Sequence, residues 1–183
     1  MTSTAAPAAA GSRLAAAEAA VGVLCTDTDP AVLSGADALD ALGRVTVITR
    51  KLAALQTVLA LRVIDANQWQ GRGSPTAPMW LARQLGCTTG AAHQMLATAK
   101  KLDDRPATRQ AFANGEISSD EAAAITAAAA VDPSAEAALL AGATGGHDLA
   151  ATRAASGQVR RQSRSRADEQ ARTERLHRSR RWT

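Results

Sequence analysis

Tyrosine is absent from this 183-residue chain; phenylalanine occurs once, as Phe112, and tryptophan three times, as Trp69, Trp80 and Trp182. Strands draw on alternating β-branched and aromatic residues, and no convincing run of that kind occurs. Cysteine is almost as scarce. Cys25 and Cys87 lie far apart and form neither a CxxC pair nor a metal-ligand cluster, so they read as reduced thiols rather than a disulfide or a metal site. His93, His147 and His177 are scattered, none with a Cys, Asp or His at metal-ligand spacing. There is no GxGxxG or Walker-type phosphate loop and no GxSxG elbow. No catalytic residue, cofactor or metal is therefore expected. No stretch approaches the ~18 apolar residues that span a bilayer. The N-terminus has no basic residue before Arg13 and no signal-like apolar block after it; Cys25 follows Leu24, where a lipoprotein site wants a small residue. A soluble, cytoplasmic protein is expected.

What is present is alanine, about a quarter of the chain. Alanine is the strongest helix former and loses no side-chain entropy on folding. It also buries little surface, so a core must combine many modest contacts with a few Leu, Ile, Val and Trp anchors. The sequence predicts an all-α fold: a multi-helix bundle with one long central helix, a helix-turn-helix-like corner and a long arginine-rich C-terminal helix. Residues 1–12 are expected to be disordered, 13–152 to form the helical domain and 153–183 a basic helical tail. A helix from Arg13 to about Leu24 ends at Thr26-Asp27-Thr28-Asp29-Pro30. Ser34 is the expected N-cap of the central helix, which runs to about Trp69. Along it Val45, Ile48, Leu52, Leu55 and Leu59 fall at spacings of 3, 4, 3 and 4. Such a stripe reads as the spine of a bundle, or alternatively as the seam of a homodimer or partner helix.

Further helices are marked by Pro78, Thr88, Pro106 and the capping box Ser118-Ser119-Asp120-Glu121, and breaks by Gly86, Asn114-Gly115, Asp132-Pro133 and Gly145-Gly146. Residues 78–97 carry the corner. Leu81, Leu85, Cys87, Ala92 and Met95 are expected to face inward, with Gly86 in the turn. Thr89, Gly90, His93, Gln94 and Ala97 are expected outward on the second helix, where Gln can read adenine and Thr can touch base or phosphate. Against DNA reading stands the lack of cations before Lys100 and Lys101. A plain structural corner and a DNA reader both remain open.

Net charge is +4, unevenly spread. From Arg153 onward ten arginines face Asp168, Glu169 and Glu174, a net +7, leaving −3 on the preceding residues. Arg160, Arg161, Arg164, Arg166, Arg172, Arg175 and Arg178, with Arg180 and Arg181, are spaced to cover several faces of a helix. They suit sequence-independent phosphate contact, or equally a solvated helix that keeps the chain in solution.

The run Ala77-Pro78-Met79-Trp80-Leu81-Ala82-Arg83-Gln84-Leu85-Gly86, with Ala91-Ala92, Leu96, Ala99 and Leu102, is followed by Pro106-Ala107-Thr108, Ala111-Phe112-Ala113-Asn114-Gly115-Glu116-Ile117-Ser118, Glu121-Ala122 and Ile125. Over roughly residues 35–183 this resembles the actinobacterial domain of unknown function 222, also known from 13E12 repeat proteins. The resemblance implies a helical domain that usually precedes an HNH endonuclease. No HNH residues are present to carry over, and the chain ends at Trp182-Thr183, about where the family's continuation would begin. Three functional expectations follow. The first is a non-catalytic module with weak DNA affinity in a nuclease or mobile-element setting. The second is a protein-interaction or dimerisation module. The third is the remnant of a nuclease whose catalytic domain is missing.

Overall fold

The computed structural model describes the backbone of residues 5–180 and the side chains of residues 9–175. Among the described residues there are eight α-helices and no strands, so the fold is all-α. The helices are α1 (Ala5–Asp27), α2 (Gly35–Asp65), α3 (Ala77–Leu85), α4 (Thr89–Leu102), α5 (Pro106–Asn114), α6 (Ser119–Ala129), α7 (Glu136–Thr144) and α8 (Leu149–Arg180). None is long and apolar enough to cross a membrane. The chain divides into two compact units, one up to Val45 and one from Thr46 onward.

In the first unit, α1 begins at Ala5 rather than near Arg13, so helix replaces the disorder expected over much of residues 1–12; residues 1–4 lie outside the described residues. Alanine at five of the first six helical positions accounts for the early start. Asp29 accepts the Ala31 N–H at 2.9 Å and fixes the turn at Pro30. Ser34 Oγ accepts the Asp37 N–H at 3.2 Å, the cap expected for α2.

The second unit is centred on α6, which packs against α4, α5, α7 and α8. Ser118 and Glu121 make the capping box that orients its start: the Ser118 N–H donates to Glu121 Oε2 at 2.7 Å, and Ser118 Oγ accepts the Glu121 N–H at 3.3 Å. Phe112, Leu102, Ile117, Ile125 and Leu139 fill one core cluster together with Ala54, Ala122, Ala128 and Ala143. Leu81, Ala82, Ala92, Leu96 and Ala60 fill a second, under Trp80, Leu85, Cys87 and Met95.

Side-chain links set the helix directions. Gln94 reaches Asp120 while Arg105, beyond the end of α4, donates to the Ala129 carbonyl at the end of α6. Arg153 pairs with Asp120, and Arg166 with Asp132, so α8 tracks α6 in the same sense. Helices α4, α6 and α8 thus run parallel, with α5 and α7 in the connections.

Two expectations need correction. Val45, Ile48, Leu52, Leu55 and Leu59 do not face the core: they are 40–54% exposed, while Ala54, Thr57 and Ala60 are buried on another face of α2. Small residues let helix backbones approach closely, so α2 turns its alanine–threonine face inward and leaves the larger side chains outside. In addition, the packed domain does not stop at residue 152. Helix α8 is continuous through it, Thr152 and Ser156 are buried, and Ala155 and Val159 pack on the main cluster. The arginine-rich surface starts only at Arg160.

Gly115 ends α5 at a φ of 74°, and a Cβ there would stand 2.9 Å from the Val47 carbonyl oxygen of α2. Both the left-handed backbone and the close approach require glycine. Gly115→Ala is expected to cost about 2 kcal/mol or more and to lower the midpoint of a thermal melt by several degrees. An unchanged midpoint would remove this contact from the account.

Candidate nucleic-acid interface

The corner between α3 and α4 is built by local capping. Thr76 Oγ1 accepts the Met79 N–H at 3.4 Å, Gly86 closes α3 at a φ of 65°, and Thr88 Oγ1 accepts the Ala91 N–H at 3.1 Å to start α4. Leu81 and Ala92 are buried, and Leu85, Cys87 and Met95 partly so, as the apolar spacing indicated. Thr89, Gly90, His93, Gln94 and Ala97 are exposed. These exposed residues span an arc of about 140° on α4. At about 100° per residue, Thr89, His93 and Lys100 share one side of α4, and Gln94 and Lys101 point about 100° further round. Gln94 is already engaged, its Nε2 donating to Asp120 Oδ1 at 3.4 Å.

On α8, Arg160, Arg161, Arg164, Arg166, Arg172 and Arg175 are all exposed; the side chain of Arg178 lies outside the described residues, as do Arg181 and Trp182. Arg166 lies 3.5 Å from Asp132, and Arg153, nearer the body, 2.9 Å from Asp120. Among the described residues no carboxylate pairs with Arg160, Arg161, Arg164, Arg172 or Arg175. Continuous helix gathers these five within an arc of about 120°, with Arg166 on another side. Asp168 is the acid in the same arc, and with Arg166 the described arginines occupy more than one side of α8.

Asp132, which holds Arg166, has its carboxyl kept below the ordinary value of 3.8. The Ser134 hydroxyl is the main cause, donating at 2.6 Å; the Ser134 N–H at 3.2 Å and the Arg166 charge add to it. The carboxylate therefore stays ionised near neutral pH, opposite the Arg166 guanidinium.

Gln94, Lys101 and Arg160, taken from separate motifs in the sequence, come together. They line a cleft of about 400 Å³ between α4, α6 and α8, along with Arg153, Ser156 and Gly157. The last three were missed from sequence. Their signal was the spacing 153, 156, 157, 160, which places them on one side of a helix.

Cys25 and Cys87 are free, and no group of His, Cys, Asp or Glu among the described residues could hold a metal ion. His93 and His147 are both exposed, and the side chain of His177 is outside the described residues.

Fold and surface together define an all-α protein with a capped helical corner and a basic terminal helix. The chain belongs to the family described as Domain of unknown function (DUF222), whose model matches residues 39–181. No curated protein and no solved structure matches it.

Proposed function

We propose that the chain is a non-catalytic helical module that contacts nucleic acid through the phosphate backbone. In the nuclease or mobile-element setting that the family resemblance implies, such a module would help place a nuclease on DNA. The observation carrying this reading is the face of α8 with Arg160, Arg161, Arg164, Arg172 and Arg175 exposed and unpaired by any described carboxylate. Guanidinium groups held apart on a helix displace counterions from phosphates but read no sequence. Thr89, His93 and Lys100 would supplement the contact from α4 without specifying bases. The test is a titration of labelled duplex against the protein and against a variant with the five arginines changed to Gln. In low salt the variant is expected to bind at least about 100-fold more weakly. Equal affinities would eliminate the electrostatic reading.

The exposed stripe on α2 favours a second reading: self-association. Val45, Ile48, Leu52, Leu55 and Leu59 retain coiled-coil spacing while Ala54, Thr57 and Ala60 serve the core, so one helix carries two contact faces. A second copy of the same stripe suits it, because a heptad seam is complementary to itself. Sedimentation equilibrium is expected to give a dimer that Leu52→Glu with Leu55→Glu returns to monomer. A native protein that stays monomeric at all concentrations would exclude this reading.

A further inference from the structure

The three parallel helices around the cleft are in register. Gln94, Asp120 and Arg153 meet at one end, through contacts of 3.4 Å and 2.9 Å that leave Asp120 neutralised. Seven residues further along each helix, about two turns or 10 Å, stand Lys101, Ala127 and Arg160. Between the two ends every lining residue is small: Ala97 and Thr98 on α4, Ala123 and Ala124 on α6, Ser156 and Gly157 on α8. The result is an open trough with a closed polar network at one end and two cations at the other. No described carboxylate pairs with Lys101 or Arg160. Arg153 and Arg166 are each tied to an acid, whereas Arg160, on the same helix between them, stands beside alanines. Ser156 borders the trough, and its buried Oγ has no hydrogen-bond partner in the protein.

We propose that this trough seats a phosphate group, with the Lys101 ammonium and the Arg160 guanidinium holding its oxygens from opposite walls. Two cations borne by separate helices offer donors from two sides of the trough, and an oxyanion is the ligand that matches them. The alanine floor leaves space beside the phosphate for the sugar of a nucleotide. The inference rests on the nucleic-acid reading for its macromolecular partner: the trough takes one backbone phosphate of the strand that the outer arginines, Arg161, Arg164, Arg172 and Arg175, attract. It differs from that reading in locating a defined seat formed by α4, α6 and α8.

Gly157 offers a variant that fills the seat without changing charge. A Cβ there meets only the mobile end of Arg161, at 3.3 Å, and a non-glycine residue suits helix better. Gly157→Leu should therefore fold, as a thermal melt would verify, and Lys101→Ala provides an independent second variant. Backbone amide resonances are followed while inorganic pyrophosphate is added, then in a separate series a short single-stranded oligonucleotide. The native protein is expected to show saturable shifts at Lys101, Ala127 and Gly157 with both probes. Each variant should weaken the response at these positions at least about tenfold. Absence of saturable shifts there with pyrophosphate overturns the seat. So do shifts that persist unchanged in both variants. Should pyrophosphate bind in the trough and the oligonucleotide bind nowhere, the seat stands for free phosphates and the nucleic-acid reading fails. Should the oligonucleotide bind along Arg161, Arg164, Arg172 and Arg175 while neither probe shifts the trough, the nucleic-acid reading stands and the seat falls.

Discussion

Ending the chain at Thr152 is expected to abolish cooperative unfolding, whereas ending it after Ser163 leaves the melt within a few degrees of the full chain. Composition invites the first cut, since arginines dominate from there on. The packing contradicts it. Helix α8 covers α6 through Thr152, Ala155, Ser156 and Val159, and removing the last three uncovers the main core cluster. Lost burial of Val159 and Ala155, with the newly exposed apolar surface of their neighbours, would cost at least about 4 kcal/mol. That is a large part of the roughly 5–15 kcal/mol that holds a domain of this size together. Retention of a sharp, high-temperature transition by the shorter fragment would show that α8 is an appendage after all.

Phe112→Ala is expected to cost about 3–5 kcal/mol, measured as a fall in the urea midpoint at unchanged slope. The side chain is 2% exposed and sits among Leu102, Ile117 and Ile125. It is the only phenylalanine in the sequence, and many of its cluster companions are alanines. Alanines have no long side chain to swing into the vacated space, so little of the cavity can close. Phe112→Leu keeps more of the volume and should cost under about 2 kcal/mol. Similar values for the two replacements would mean that the site is more plastic than its burial indicates.

Local signals placed most helix boundaries where a cap or a left-handed glycine lies within a few residues, whereas α1 begins earlier than expected and α2 ends at Asp65 rather than near Trp69. Ser34, Thr88 and Ser118 cap through their own hydroxyls, and Gly86 and Gly115 take left-handed backbone that other residues resist. Which face of α2 would be covered was not legible. Periodicity says which side chains lie together, not what lies over them, and here the interior took the small residues Ala54, Thr57 and Ala60. For the same reason the buried half of α8 escaped notice. Ala155, Ser156 and Val159 are modest residues beside a run of arginines, and charge masked their packing. The trough depended on register between helices far apart in the chain. Gln94, Lys101 and Arg160 were individually visible as polar or basic residues, yet only the contacts of Asp120 with Gln94 and Arg153 bring them to one place.

The salt dependence of duplex binding bears most directly on the idea that α8 presents its unpaired arginines to phosphates. If those five contact phosphates, the logarithm of the binding constant should fall with the logarithm of salt concentration at a slope of about −4.5, and the five-Gln variant should lose most of that slope. A native slope near zero, or one that the variant leaves unchanged, would contradict it.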